Sequence, residues 1–242
     1  MKTIFLLLSL LFLTTSLLGQ NYKEMVWNAM KELNELEKPT KNNRYHFKYK
    51  VRSVPRNNPQ KALMARVETI VAADRIVIKS DKGDYYQDPK NAFTIVKDAK
   101  KVVWNDSPQD AWSKQDFSGF TNLKKAFFDG ATYSRVRRQG EPEGIVLLKM
   151  LPQLEVRKKG LVDYLMIEID TKANRVTRLL TMYNQASPQK LTEYIYEKMD
   201  LKSNAYIAKR AIDYVMTNNQ LKSSYRNYEL IDLRNETRNP KK

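Results

Sequence analysis

The chain contains no cysteine, and this absence removes three classes of site at once. Disulfide scaffolds, thiolate metal centres and cysteine nucleophiles all need that residue. A single histidine among 242 residues also excludes a metal site built from several histidines. Seven glycines leave little material for loops that cradle phosphate groups. Since no metal-ligand spacing, P-loop or serine elbow is present either, we expect no metal, no cofactor and no enzymatic activity.

The composition is that of a folded, basic protein. Apolar residues make up 42% of the chain, which is too much for a disordered protein. Lys and Arg number 43 against 27 Asp and Glu, so the formal net charge is +16. No repeat and no break in composition interrupts the chain. We therefore predict a single domain over residues 20–234, followed by a polar, basic tail over 235–242.

The first residues have the layout of a secretory signal peptide. Lys2 precedes an apolar run from Ile4 to Leu13, and small and polar residues follow up to Gly19. The run is shorter than the roughly 20 residues that span a bilayer, although a retained N-terminal anchor is the alternative. No later segment is apolar enough to cross a membrane. We expect cleavage after about residue 19, export without membrane spanning, and no nucleic-acid partner.

Hydrophobic periodicity predicts two helices and a series of short strands. Apolar residues at helical spacing favour helices over 22–37 and 203–217, and aromatic residues favour one or two short helices within 107–130. Strands are predicted over 45–51, 63–71, 74–80, 84–87, 92–97, 100–104, 144–151, 161–170, 175–183 and 190–200. Turn-forming residues separate them, and residues 170–174 form a hairpin connection. This order indicates an antiparallel meander.

The first predicted strand alternates strictly between apolar and polar side chains. Tyr45, Phe47 and Tyr49 share one face, and His46 lies on the other face beside two lysines. We therefore interpret His46 as a solvated surface histidine. The strand 161–170 is apolar on both faces, which indicates one face under a helix and the other inside a curved sheet.

A curled sheet with an apolar concave side forms a pocket for an acyl chain where its packing is incomplete. Aromatic rings and flexible thioethers suit such a lining. The candidate ligand-binding residues are Tyr45, Phe47, Tyr49, Tyr164, Met166 and Met182. The alternative is a filled core without a cavity, because apolar faces normally pack against each other.

Three segments carry a resemblance to a known family. They are YHFKYKVRS (45–53), residues 67–106, and the hairpin YLMIEIDTKANRVTRLLTMYN (164–184). Their order resembles that of the periplasmic outer-membrane lipoprotein carriers, the LolA-like superfamily. The resemblance implies an α+β fold: a single curved antiparallel sheet, or half-barrel, with two to four helices covering its concave side. The family's functional arginine has two candidate counterparts, Arg66 and Arg75.

The resemblance implies a carrier or binding protein for lipid or lipidated ligands in the cell envelope. A leucine-rich leader ending in Gly-Gln is similar to those of Bacteroidetes-type bacteria, which implies the periplasm, with secretion as the second choice. The alternative function is a non-catalytic accessory subunit of an envelope secretion or transport machine.

Charged residues suggest two further hypotheses. Basic clusters around residues 97–101, 135–138, 157–159 and 241–242 indicate either a solvated face or contact with an anionic envelope surface. Carboxylate pairs such as Glu141 with Glu143 and Asp163 with Glu168 occur in any acid-rich chain, so we assign them no catalytic role.

Overall fold

The computed structural model describes residues 21–30, 44–107 and 128–234. The predicted signal peptide, most of the insertion 107–130 and the tail 235–242 lie outside these ranges. The chain divides into two compact units. The first unit comprises Met1–Glu35, Arg52–Leu63 and Phe120–Ile195, and the second comprises Leu36–Val51, Met64–Gly119 and Tyr196–Lys242. The single domain over 20–234 stays a prediction.

Most of the described residues belong to β-strands. The strands are β1 (Arg44–Pro55), β2 (Leu63–Val71), β3 (Ile76–Ser80), β4 (Gly83–Gln87), β5 (Asn91–Val96), β6 (Lys101–Asp106), β7 (Thr132–Val136), β8 (Ile145–Leu151), β9 (Val162–Asp170), β10 (Arg175–Tyr183), β11 (Gln189–Ser203), β12 (Met216–Thr217), β13 (Gln220–Leu221) and β14 (Glu229–Asp232). The helices are α1 (residues 21–29), α2 (Leu154–Gly160) and α3 (Ile212–Val215). Two 3₁₀ turns occupy Pro59–Lys61 and Ser223–Tyr225.

Twelve of these strands belong to one large sheet. The hydrogen-bonded order is β14-β6-β5-β4-β3-β2-β1 at one end and β11-β10-β9-β8-β7 at the other. The pairs from β2 to β6 and from β7 to β11 are antiparallel, whereas β14 runs parallel to β6. The predicted antiparallel meander with few helices is thus confirmed, with more strands than expected. The half-barrel curvature and the helices on its concave side stay predictions.

The core of the second unit lies between one face of β2–β6 and the segment that follows β11. The sheet contributes Ile70, Val77, Tyr86, Phe93, Ile95, Val102 and Trp104, and the segment contributes Ile207, Ala211, Val215 and Met216. The rings of Tyr86 and Tyr214 stack with their centroids 4.5 Å apart. Because Phe93 is fully buried, its replacement by alanine would cost about 3–5 kcal/mol.

The helix predicted over 203–217 is wrong, since α3 occupies only Ile212–Val215. Side chains replace the helical backbone bonds: the Ala208 N–H donates to the Tyr214 hydroxyl at 2.8 Å, and the Ala211 N–H donates to Asp88 Oδ2 at 2.5 Å. The segment therefore lies on the sheet in an irregular conformation, because packing outweighs its weak helical propensity. Beyond α3, the turn at residues 218–219 joins β12 to β13 in a separate two-stranded hairpin.

The first unit buries one face of β9. Leu165, Ile167 and Ile169 alternate along this strand and are buried, whereas the residues between them are half-buried. The predicted hairpin between β9 and β10 is confirmed: the Asp170 side chain accepts hydrogen bonds from the N–H groups of residues 172 and 173, both at 3.0 Å. Asn174 closes the turn at φ 48°, a conformation that asparagine tolerates.

The predicted N-terminal helix is confirmed over residues 21–29. Val26 and Ala29 are its buried residues, and Met30, directly after its end, is buried too. The rest of the predicted range, 31–37, lies outside the described residues. Two elements of the first unit, β7 and α2, were not predicted from the sequence. α2 is only seven residues long and buries none of them, so it has no hydrophobic period to detect.

None of the helices in the described part of the chain has both the length and the apolar composition needed to cross a bilayer.

Candidate functional site

In the second unit, Tyr45, Phe47 and Tyr49 lie on one face of β1, as predicted. Tyr45 is buried, and its ring meets that of Phe47 edge-on, with centroids 6.5 Å apart. Tyr45 forms a small buried cluster with Val71 and Ile76, and this cluster is bordered by Phe47, Ile78, Tyr85 and Leu201. These seven residues, together with Tyr49, are here named the aromatic face. Most of its side chains are only half-buried, in contrast to the covered core on the opposite side of the sheet.

Strand register builds the aromatic face. Val71 pairs with Ile76, and Ile78 pairs with Tyr85, so apolar side chains continue from β2 to β4 on the same side. The Tyr85 hydroxyl donates to Gln87 Oε1 at 2.7 Å, which satisfies a polar group at the border of the face. Burial raises the pKa of the Tyr49 and Tyr85 phenols, so both stay neutral at physiological pH. The face therefore presents uncharged rings and aliphatic groups.

His46 occupies the other side of β1, and the prediction that it is solvated is wrong. Its residue is 7% exposed, and its Nε2 lies 2.7 Å from Glu68 Oε1. Lys48 Nζ also reaches Glu68, at 3.1 Å. Partial burial pushes the pKa of Glu68 upward, but the hydrogen bonds from Lys48 and His46 outweigh it and hold that pKa below its ordinary value. The sequence pattern places His46 on the polar face of the strand, but residues that are distant in the sequence cover that position in the folded protein.

In the first unit, the structure brings Tyr164, Met166 and Met182 together. Met182 pairs with Tyr164 across β10 and β9, and Leu180 pairs with Met166, so the four side chains share one face. All four are half-buried. They are here named the methionine face. The other three predicted residues belong to the second unit, so the six candidates fall into two groups of three.

Charged residues border the methionine face. Glu168 pairs with Arg138 at 2.7 Å, and Glu193 pairs with Arg178. Lys149 pairs with Met166 across β8 and β9, and its Nζ lies 4.4 Å from the centre of the Tyr164 ring. Among the described carboxylates, none forms an ion pair with Lys149. The border of the methionine face therefore carries one cation that no described acid neutralises.

In both candidate carboxylate pairs, each acid forms an ion pair with a basic side chain of its own. Their ion pairs are Glu141 with Arg135, Glu143 with Lys172, Asp163 with Arg157, and Glu168 with Arg138. The same contacts occupy several cations of the predicted basic clusters. Of the two candidate family arginines, Arg75 pairs with Asp74 at 3.2 Å, and Arg66 donates its backbone N–H to Asp81. The described ranges contain no group of three or more acidic or histidine side chains that could hold a metal ion.

Two cavities of the second unit lie along the segment that follows β11. One, of about 430 Å³, is lined by Arg210, Ile212, Asp213, Met216, Thr217, Asn218, Asn219 and Lys222. The other, of about 490 Å³, is lined by Tyr206, Ala208, Lys209, Asp213, Tyr214 and Lys222. Neither contains a residue of the predicted site. The sequence gives no sign of these cavities, because the apolar spacing over residues 203–217 favours a regular helix there.

No protein-family model and no curated protein matches the chain. Solved structures do. An uncharacterized conserved protein from Thermus thermophilus is 11% identical, with 88% of this chain and 99% of that chain covered and a TM-score of 0.36. A LolA superfamily protein from Nitrosomonas europaea is 7% identical, with coverages of 73% and 93% and a TM-score of 0.32. A putative outer membrane lipoprotein-sorting protein domain from Vibrio parahaemolyticus is 6% identical, with coverages of 76% and 93% and a TM-score of 0.31. The superfamily that the sequence resembles is thus among these matches, which assign no ligand or partner to the chain.

Proposed function

We propose that this protein is a periplasmic carrier or binding protein for lipid or lipidated ligands. The observation that carries the proposal is the half-burial of the aromatic face. The second unit covers the opposite side of its sheet with its own chain, yet Phe47, Tyr49 and Tyr85 keep accessible surface next to the buried cluster of Tyr45. Apolar surface left open beside a packed cluster is what an apolar ligand needs.

The chemistry of the aromatic face suits an acyl chain. Its phenols are neutral, and the described residues place no carboxylate or ammonium group within the face itself. Each methylene group that leaves water contributes about 0.8 kcal/mol. A chain that buries six methylene groups on such a face would therefore gain about 5 kcal/mol before the entropic costs of binding.

The methionine face supports the same ligand class independently. Met166 and Met182 have unbranched, polarizable side chains that adapt to chains of different length and saturation. Leu180 and Tyr164 complete an apolar surface next to a lysine. This arrangement suits the polar end of an amphiphile as well as its chain.

No catalytic step belongs to this proposal. The acids that could form a general acid and base pair are each held by a basic side chain. A binding role requires only apolar surface and export, and the leader-like N-terminus accounts for the proposed compartment.

The first test is native mass spectrometry of the protein purified from the envelope, followed by titration with a fluorescent fatty acid. We expect co-purifying lipid and saturable binding of the probe. Met166→Gln should weaken probe binding by about fivefold or more, because it places an amide in the apolar face. Met64→Gln is the matched control, since Met64 is 66% exposed and belongs neither to the aromatic face nor to the methionine face.

Two results would contradict the carrier function. One is unchanged probe affinity, relative to the Met64→Gln control, in both a folded Met166→Gln protein and a folded Phe47→Gln protein, which place an amide in the methionine face and in the aromatic face respectively. The other is a lipid-free protein that takes up no probe and instead retains envelope proteins in a pull-down. The second result would favour the alternative, an accessory subunit of an envelope secretion or transport machine.

A further inference from the structure

The two cavities of the second unit adjoin each other and share two lining residues, Asp213 and Lys222. Their volumes, about 430 and 490 Å³, fall in the range of roughly 300–1,000 Å³ that small-molecule sites occupy. They lie on the segment that packs over the core of the second unit, and they include no residue of the aromatic face. Any ligand they bind is therefore separate from the proposed acyl chain.

The cavities carry a net positive charge. Arg210 binds Asp213 with two nitrogens: Nε lies 3.1 Å from Oδ1, and Nη2 lies 2.6 Å from the same oxygen. The hydrogen bond from Arg210 holds the pKa of Asp213 below its ordinary value, so this carboxylate stays ionised and neutralises the arginine. Lys222 donates to the backbone oxygen of Asp213, and Lys209 is exposed. No acid in the described ranges forms an ion pair with either lysine. Lys209 can therefore contact an anion directly, and the Lys222 ammonium, which uses one N–H on the Asp213 backbone oxygen, keeps two further N–H donors for it.

The first cavity also offers neutral polar groups. Asn218 and Asn219 both adopt left-handed backbone conformations, with φ values of 51° and 61°, and form the exposed turn between β12 and β13. With Thr217 they supply amide and hydroxyl groups that can both donate and accept hydrogen bonds. Groups with both capacities match the hydroxyl groups of a sugar, which also donate and accept.

The second cavity contributes an aromatic surface. Tyr206 is 79% exposed and lines the same cavity as Lys209. An exposed ring can lie against the C–H face of a sugar ring, which buries apolar surface on both partners. The lysine beside it attracts a negative group on that sugar.

We propose that these adjoining cavities bind a sugar that carries an anionic group, either a phosphate or a carboxylate. The Tyr206 ring packs on the sugar, Lys209 and Lys222 contact the anionic group, and the amides of Asn218 and Asn219 bind hydroxyl groups of the same or a linked ring. The site is independent of the proposed acyl-chain function, so either can fail alone.

The test is calorimetric titration of the full chain at low salt with glucose 6-phosphate, glucuronate, glucose and inorganic phosphate. We expect at least one anionic sugar to bind about tenfold more tightly than both glucose and inorganic phosphate. Whether the phosphate or the carboxylate sugar binds more tightly identifies the anionic group. Binding should weaken as salt is added, because exposed charges are screened.

Substitutions then locate the site. Lys209→Gln and Tyr206→Ser should each weaken binding by about fivefold to tenfold, whereas Tyr206→Phe keeps the ring and should bind within about twofold of the parent. Lys190→Gln is the matched control for charge, because Lys190 is exposed and lies in the first unit. Circular dichroism checks that each variant is folded.

Three results would overturn the proposal. They are no binding of either anionic sugar at about 20 mM, equal affinity for inorganic phosphate and the sugars, and unchanged affinity in both Lys209→Gln and Tyr206→Ser. The second result would identify a simple anion site with no preference for sugar.

Discussion

Asp88 and Ala211 are 123 positions apart in the chain, and the Asp88 carboxylate accepts a hydrogen bond of 2.5 Å from the Ala211 N–H. The same side chain accepts bonds from the N–H groups of Lys90 and Asn91, at 2.7 and 2.8 Å. One buried residue therefore shapes the β4–β5 turn and also fixes the segment that covers the core of the second unit.

Asp88→Ala should destabilise the protein by about 2–4 kcal/mol, because the buried Ala211 N–H and the two partly buried N–H groups of the turn lose a charged acceptor. Urea unfolding measures this loss. Asp98→Ala is the control, since the one ion pair of Asp98 among the described residues is with exposed Lys82, and its removal should cost less than about 1 kcal/mol. Equal unfolding midpoints for the two variants would show that the Asp88 contacts do not hold the segment.

Arg56 connects β1 to the loop between β10 and β11 within the first unit. Its guanidinium donates to the backbone oxygens of Tyr183, Asn184 and Ser187, at 2.8, 2.6 and 3.1 Å. Arg56→Lys should cost about 1–3 kcal/mol although the charge is kept, because an ammonium group cannot reproduce the planar fork. Thermal unfolding measures the effect, with Arg226→Lys at an exposed position as the control. An Arg56→Lys variant as stable as the parent would contradict this role.

The contacts of Glu68 with Lys48 and His46 should make stability depend on pH. The pKa of Glu68 is lower in the folded state than its ordinary value, so the unfolded chain binds its proton more readily. The stability that Glu68 contributes is present above its ordinary pKa, near 4.5, and is lost as pH falls below that value. Urea midpoints measured between about pH 3 and 7 should therefore fall less steeply at the acid end in Glu68→Gln than in the parent. Parallel curves would exclude the contribution.

The strands were predictable because their signals are local. Alternation and turn residues located β2 and β10 to the residue, and placed Tyr45, Phe47 and Tyr49 on one face. Register also joins Tyr164 to Met182, which follows from the hairpin at residues 170–174. These features depend only on neighbouring residues or on one short turn.

The misjudged features depend on contacts between distant parts of the chain. The segment after β11 has a helical pattern, but the side chains of Asp88 and Tyr214 bind its N–H groups instead. His46 has a polar-face position, but tertiary packing buries it against Glu68. A single sequence shows neither partner, and for the same reason it contains no indication of the cavities beside Lys222.

Lys149 should distinguish ligands by charge if an acyl chain lies on the methionine face. Its Nζ rests on the Tyr164 ring without a described acidic partner, so it can contact the carboxylate of a fatty acid whose chain covers Met166. Lys149→Gln should weaken binding of a fatty acid by about two- to fivefold, the range for an exposed ion pair, and leave a fatty alcohol of the same length unaffected. Competition against the fluorescent probe measures both affinities, with Lys190→Gln as the matched control. Because exposed pairs are screened, the difference between acid and alcohol should shrink as salt is raised. Equal weakening of the acid and the alcohol would assign Lys149 to packing against Tyr164, not to recognition of charge.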